Sequence, residues 1–189
     1  MPLTSTDHAL AGTCPEPLAQ AVRAEVRRGL DWQQTAERVA ATLRDHLPDP
    51  AAVLPAQLRR GDEACYQSHL LHAEPDGSFS IAAMVWLPGQ QTPVHDHVAW
   101  CVTGVLQGHE HEEVFALADD GRALRLLTRN ENPVGTVSGF APPGDIHRVR
   151  NVSDSTAISL HIYGTDLGRI GSSARRFYDL PVRPAELSK

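Results

Sequence analysis

Ten histidines stand in this chain of 189 residues, and three of them are spaced for metal chemistry. His95 and His97 flank Asp96 in the run Val94-His95-Asp96-His97-Val98. In an extended strand, residues i and i+2 point to one face, so both imidazoles reach a single ion. A third histidine, His147, follows the turn Pro142-Pro143-Gly144-Asp145-Ile146. Three neutral imidazoles form a facial nitrogen set that leaves coordination positions open to water, substrate or dioxygen. A structural zinc site instead fills its coordination sphere, often with thiolates, and only Cys101 is near. The expectation is an open, reactive metal centre.

A second pattern lies in Ser159-Leu160-His161-Ile162-Tyr163. Period-two alternation puts Ser159, His161 and Tyr163 on one face of a strand and Ile158, Leu160 and Ile162 on the other. No oxyanion-hole motif or nucleophile elbow accompanies it, so serine-protease-like chemistry is not indicated.

These residues need elements to position them. From Pro17, Leu18, Val22, Val26 and Leu30 recur at four-residue spacing, which predicts a helix ended by Gly29. Asp31 with Gln34 resembles a capping box and opens a second helix to about His46. Its apolar stripe is Trp32, Ala36, Val39, Ala40, Leu43 and Leu47, and Pro48 and Pro50 stop it. Beyond Pro55 the texture is β: Asp76-Gly77 and Asp120-Gly121 are hairpin-type turn signals. Strand-like segments cover Phe79–Leu87, Val94–Gln107, Glu112–Ala118, Leu124–Arg129, Val134–Val137, His147–Asn151 and Thr156–Tyr163. Many short strands with close turns predict an antiparallel sandwich or small barrel. The division expected is a helical segment over 1–50 packing on a barrel over 51–189, in one structural domain.

Composition narrows the classes. A hydrophobic fraction of 41% is that of a globular protein, and a formal charge of −6 offers no basic footprint for nucleic acid or anionic lipid. No apolar run approaches the roughly 18 residues of a membrane span. Met1 to Gly12 lacks the pattern of a signal peptide, and residues 1–15 read as a loose polar leader. Three scattered cysteines, Cys14, Cys65 and Cys101, suit a reducing cytosol, so a cytoplasmic location is expected. Oligomeric state is left open. Of the other histidines, His109-Glu110-His111 before Glu112-Glu113 reads as an acidic, solvated strand face or rim. His69 and His72 are placed at the cavity mouth, and His8 and His46 on the surface.

The spacing Gly89, five residues, His95-x-His97, then a run to Gly108 resembles the first motif of the cupin superfamily. Pro142-x-Gly144, two residues, His147, three residues, Asn151 resembles the second. That implies a mainly β fold, the cupin double-stranded β-helix (jelly-roll barrel), with the N-terminal helical pair added. Most metal-binding cupins carry a glutamate ligand four residues after the second histidine; here that residue is Cys101. The three-histidine variant, with Leu106-Gln107-Gly108, resembles the cysteine dioxygenase family of thiol dioxygenases over roughly residues 50–180.

The resemblance implies one Fe(2+) per chain held by His95, His97 and His147, with Ser159, His161 and Tyr163 as a catalytic relay. In that relay His161 orients Tyr163, and Tyr163 is the acid or hydrogen-bond donor. The implied reaction oxidises a small thiol carboxylate with O2 to its sulfinate, without an organic cofactor. Cysteine-specific members use an arginine upstream of the first histidine, where this chain aligns Gln67. That glutamine resembles the bacterial 3-mercaptopropionate dioxygenases, so 3-mercaptopropionate is the favoured substrate. Cysteine, or a non-catalytic metal-dependent sensor, are the alternatives. Charge neutralisation of the carboxylate then falls to Arg175 or Arg176, with Arg59 and Arg60 as weaker candidates. Cys101 carries three readings: a buried small hydrophobe, a redox thiol, or the partner of a thioether crosslink to Tyr163.

Overall fold

The computed structural model describes residues 12–183. His8 and most of the expected polar leader lie outside the described residues. The first helix, α1 (Glu16–Val26), has Pro17 in its opening turn and stops short of Leu30, which is exposed. In α2 (Trp32–Asp45) the Asp31 carboxylate accepts the Gln34 backbone N–H at 2.8 Å, as the capping signal predicts. Trp32 is exposed, so the buried stripe of α2 begins at Ala36 rather than at Trp32.

After a short α3 (Pro50–Val53) and a 3-10 turn (Leu58–Arg60), the chain is strand upon strand. These are β1 (Gln67–Ala73), β2 (Ser80–Trp86), β3 (His95–His97), β4 (Cys101–Gln107), β5 (His109–Leu117) and β6 (Leu124–Pro133). There follow β7 (Val137–Phe140), β8 (Ile146–Asn151), β9 (Ala157–Tyr163), the one-turn α4 (Leu167–Ile170), β10 (Ala174–Phe177) and β11 (Val182–Arg183). One sheet runs β1-β2-β9-β4-β7, the other β10-β3-β8-β5-β6-β11. Facing each other, they make the double-stranded β-helix of the cupins, preceded by the helical pair. Among the described residues, no helix is long and apolar enough to cross a membrane.

Several boundaries differ from the sequence expectation. Val94–Gln107 is two strands, because β3 pairs with β8 and β10 whereas β4 pairs with β7 and β9 in the other sheet. The bend at Val98–Trp100 carries the chain across. Val134–Val137 is mostly a turn, with β6 running on to Pro133 and β7 starting at Val137. The strands β1, β10 and β11 lie outside the segments that the sequence marks as strand-like, since none shows clean apolar alternation.

The largest apolar core does not fill the barrel. Ile158, Leu160 and Ile162 of β9, with Ile81, Ala83 and Val85 of β2, pack outward against Leu18, Val22, Val39 and Leu43 of the helices. The approach is close because two strand residues lack side chains. A Cβ at Gly104 would lie 2.8 Å from Leu47 Cδ1, and one at Gly139 would lie 2.9 Å from the Ala36 carbonyl oxygen. With apolar packing on the outer face, the inner face of β9 is free to carry Ser159, His161 and Tyr163.

Candidate metal centre

Alternation along β3 turns His95 and His97 inward and Asp96 outward, and the register places His147 of β8 opposite His95. One nitrogen of each imidazole lies within 4.8 Å of the other two, and all three side chains are buried. Each ring is held by its Nδ1. His95 donates to the Pro93 carbonyl at 3.0 Å, His97 to Asp145 Oδ2 at 3.0 Å, and His147 to Glu112 Oε1 at 2.7 Å. A carbonyl and two carboxylates can only accept, so Nδ1 carries the hydrogen in every ring and the Nε2 lone pairs remain for a ligand.

Protonation is opposed where it would spoil ligation. Burial, then the neighbouring His147 and His97, push His95 down to about 2. Burial also lowers His97 against the opposing pull of Asp145. For Glu112 burial is the largest single influence and pushes upward. The hydrogen bond and charge of His147, with Asn130, outweigh it and hold this carboxyl below its usual range. Asp145 behaves alike, burial being outweighed by His97, whose backbone N–H it also accepts at 2.8 Å. Three buried imidazoles, each oriented through its Nδ1 and with its Nε2 left free, fit a borderline transition-metal ion with open positions.

Beside the cluster, Ser159, His161 and Tyr163 form a continuous hydrogen-bonded line. Ser159 Oγ is 3.0 Å from His161 Nε2, and Tyr163 Oη is 3.1 Å from His161 Nδ1. Trp86 Nε1 donates to Ser159 Oγ at 3.1 Å. Burial pushes His161 down to about 3 and Tyr163 well above the ordinary phenol value, so both stay neutral. Cys101 is the cross-strand partner of Tyr163, hydrogen-bonded to it, and burial pushes its thiol up as well. Asn151, the last residue of the second motif, ties the end of β8 to the end of β2: its Nδ2 donates to the Trp86 carbonyl at 3.0 Å and to the Ser155 carbonyl at 2.8 Å.

A cavity of about 490 Å³, including its open mouth, is shared by the three histidines, His161 and Tyr163. Its wall is aromatic and hydroxylic, with Tyr66 stacked on Trp86 at 4.5 Å between ring centroids, and with Phe177, Ser172 and Ser173. The residues expected to bind a carboxylate are not part of it. Gln67 pairs with Val85, on the face of β1 turned away from Ser159, and its amide donates to the Cys65 carbonyl at 3.1 Å. A one-residue offset decides this, since Tyr66 lines the cavity while Gln67 cannot. Arg175 pairs with Asp96, and Arg176 Nε lies 3.9 Å from the same carboxylate. Asp96 points away from the metal cluster, so both guanidiniums sit behind β3. Arg59, Arg60, His69 and His72 do not line the cavity either.

The acidic segment of β5 is not the solvated face that its composition predicts. His109 and His111 do face outward, near Glu131. Glu110 and Glu112, by contrast, are buried in the lumen, where Glu112 holds a metal-cluster histidine. The sequence signal that could have found them is their period-two spacing with Val114 on a strand of the barrel.

The sequence profile of the cysteine dioxygenase type I family matches residues 51–176. Several solved structures resemble part of the chain. An oxalate oxidase shares 18% identity over 55% of this chain and 53% of that chain, with a TM-score of 0.43. This chain therefore spans about half the length of that protein. A Cupin 2 conserved barrel domain protein from Salinispora arenicola shares 21% identity over 52% of this chain and 74% of that one, with a TM-score of 0.40. An RmlC-like cupin protein from Desulfovibrio desulfuricans shares 25% identity over 56% and 88% respectively, with a TM-score of 0.39.

Proposed function

The chain belongs to the cysteine dioxygenase type I family, and from that membership we propose that it is a mononuclear non-haem iron(II) thiol dioxygenase. It would oxidise a small mercapto-carboxylate, 3-mercaptopropionate foremost, by the balance R–SH + O2 → R–SO2H. The observation that carries the reading is the shared cavity: three buried imidazoles with free Nε2 atoms and, facing them, a hydrogen-bonded Tyr163. His95, His97 and His147 are the residues that would hold the ion. Iron(II), when bound, supplies the redox chemistry that joins a thiol to dioxygen, which zinc does not.

The chain's own residues account for the rest. Burial keeps the proton on Tyr163 Oη, so the phenol is a hydrogen-bond donor at neutral pH. His161, locked between Ser159 and Tyr163, fixes the direction of that hydroxyl. Tyr66, Trp86 and Phe177 give the cavity aromatic walls. Among the described lining residues there is no carboxylate to pair an α-ammonium group, whereas Tyr66, Ser172 and Ser173 offer hydroxyl donors to a carboxylate. With Gln67 turned away, this distribution is what favours 3-mercaptopropionate over cysteine.

Purified protein is expected to hold one iron per chain and to consume oxygen with 3-mercaptopropionate, forming its sulfinate. His147→Ala should lose both. Zinc with no oxygen uptake on any thiol would overturn the reading, and a strong preference for cysteine would overturn the substrate. The intact mass of the same sample decides the state of Cys101. A loss of two hydrogens that disappears in Cys101→Ala marks a thioether to Tyr163, and full mass leaves a buried thiol.

A further inference from the structure

The hydrogen-bonded line from Tyr163 does not end at Ser159. Glu110, on the inward face of β5, is 3% exposed, and the Ser159 hydroxyl is hydrogen-bonded to its carboxyl. No ion pair among the described residues involves it, and its Oε1 makes no hydrogen bond. The charged or titratable groups facing it are Glu112 on its own strand and, through Ser159, His161 on β9. Its cross-strand partners, Asn132 on β6 and Asn151 on β8, are neutral. Leaving an unpaired carboxylate oxygen buried is costly. Burial first, with the charge of Glu112 adding and the Ser159 hydrogen bond opposing, pushes Glu110 up to about 7.

Counting hydrogens along the line gives two self-consistent arrangements. Trp86 always donates to Ser159 Oγ, occupying one lone pair. If Glu110 is ionised, it accepts the Ser159 hydrogen. His161 must then donate from Nε2 to the remaining Ser159 lone pair, and its bare Nδ1 accepts the Tyr163 hydroxyl. The phenol then shows only lone pairs to the cavity. If Glu110 is protonated, it donates to Ser159, Ser159 donates to Nε2, and Nδ1–H donates to Tyr163 Oη. The phenol O–H is then released from His161 and can donate on the cavity side, where Cys101 and Ser173 also reach the hydroxyl. The second arrangement holds one more proton, on Glu110, and His161 stays neutral in both with its hydrogen moved from Nε2 to Nδ1.

We propose that Glu110 is a positioning residue for this site: by holding or releasing one proton it sets the direction of the Ser159–His161–Tyr163 chain. It thereby sets whether the Tyr163 hydroxyl donates into the metal cavity or accepts from it. The catalytic consequence rests on the thiol dioxygenase reading, whereas the direction of the chain does not.

Two measurements on the full chain test this. In metal-free protein, infrared titration should show a carboxyl C=O band that disappears as pH rises through neutrality, and Glu110→Gln should lack it. In iron-loaded protein, kcat/KM should fall tenfold per pH unit above the midpoint of that band. Glu110→Gln, which has no proton to release, should lose this limb. Ser159→Ala should keep the infrared band yet lose the limb, because the line is cut. The proposal is overturned if no such band titrates, or if Glu110→Gln keeps the wild-type limb and midpoint. Absence of thiol oxidation would sink the dioxygenase reading and leave the infrared result to decide the role of Glu110. Should Glu110→Gln not fold, the wild-type band and Ser159→Ala still decide it.

Discussion

The three imidazoles of the cluster differ in what holds their Nδ1 atoms: a backbone carbonyl for His95, a carboxylate for His97 and another for His147. An anionic partner orients the ring and raises its basicity toward a metal. Glu112→Gln keeps an acceptor oxygen near His147 but removes the charge. It should weaken metal affinity by about 10- to 100-fold, measured by competition with a chelator, with circular dichroism unchanged. Equal affinity would mean that the carboxylate only orients the ring. The histidines themselves were legible from spacing. Their carboxylate partners were not, because Glu112 and Asp145 stand 35 and 48 residues from the rings they hold. An acidic run on a strand also reads as solvent-facing until the barrel closes over it.

Elements carry two faces with separate duties, and β9 shows this best. All seven of its residues are buried, isoleucines and leucine toward the helices and the Ser-His-Tyr set toward the lumen. That division was readable from period-two alternation alone. Strands without alternation are not: β1 carries no such signal, and the family resemblance points to Gln67 where its neighbour Tyr66 lines the cavity. The outer duty can be tested apart from the inner one. Gly104→Val drives a side chain into Leu43 and Leu47 of α2. Overpacking of this kind costs about 1–3 kcal/mol, read as a lower denaturation midpoint. Iron content should hold, since the lumen face of β4 is untouched. Loss of iron in a folded variant would show that the two faces are mechanically coupled.

At the scale of the molecule, the helical pair covers one sheet and thereby lets a polar metal centre occupy the space that a small barrel ordinarily fills with apolar side chains. The opposite sheet is finished by chain that follows the barrel. Asp96, between the two histidines of β3, takes Arg175 and accepts the Tyr178 hydroxyl at 2.9 Å. The Tyr178 N–H donates to the Val94 carbonyl and the Val98 N–H to the Ser173 carbonyl, each at 2.9 Å. Whatever steadies β3 therefore steadies the segment 173–178, and the dependence must run both ways. An ion present at 100 times its dissociation constant adds about 2.7 kcal/mol to the docked form. Tryptic cleavage after Arg175 or Arg176 should then slow by on the order of 100-fold when metal is added, and Asp96→Asn should erase that protection. The segment 173–178 would thus act as a gauge of occupancy, reporting at the surface whether an ion sits among three buried histidines.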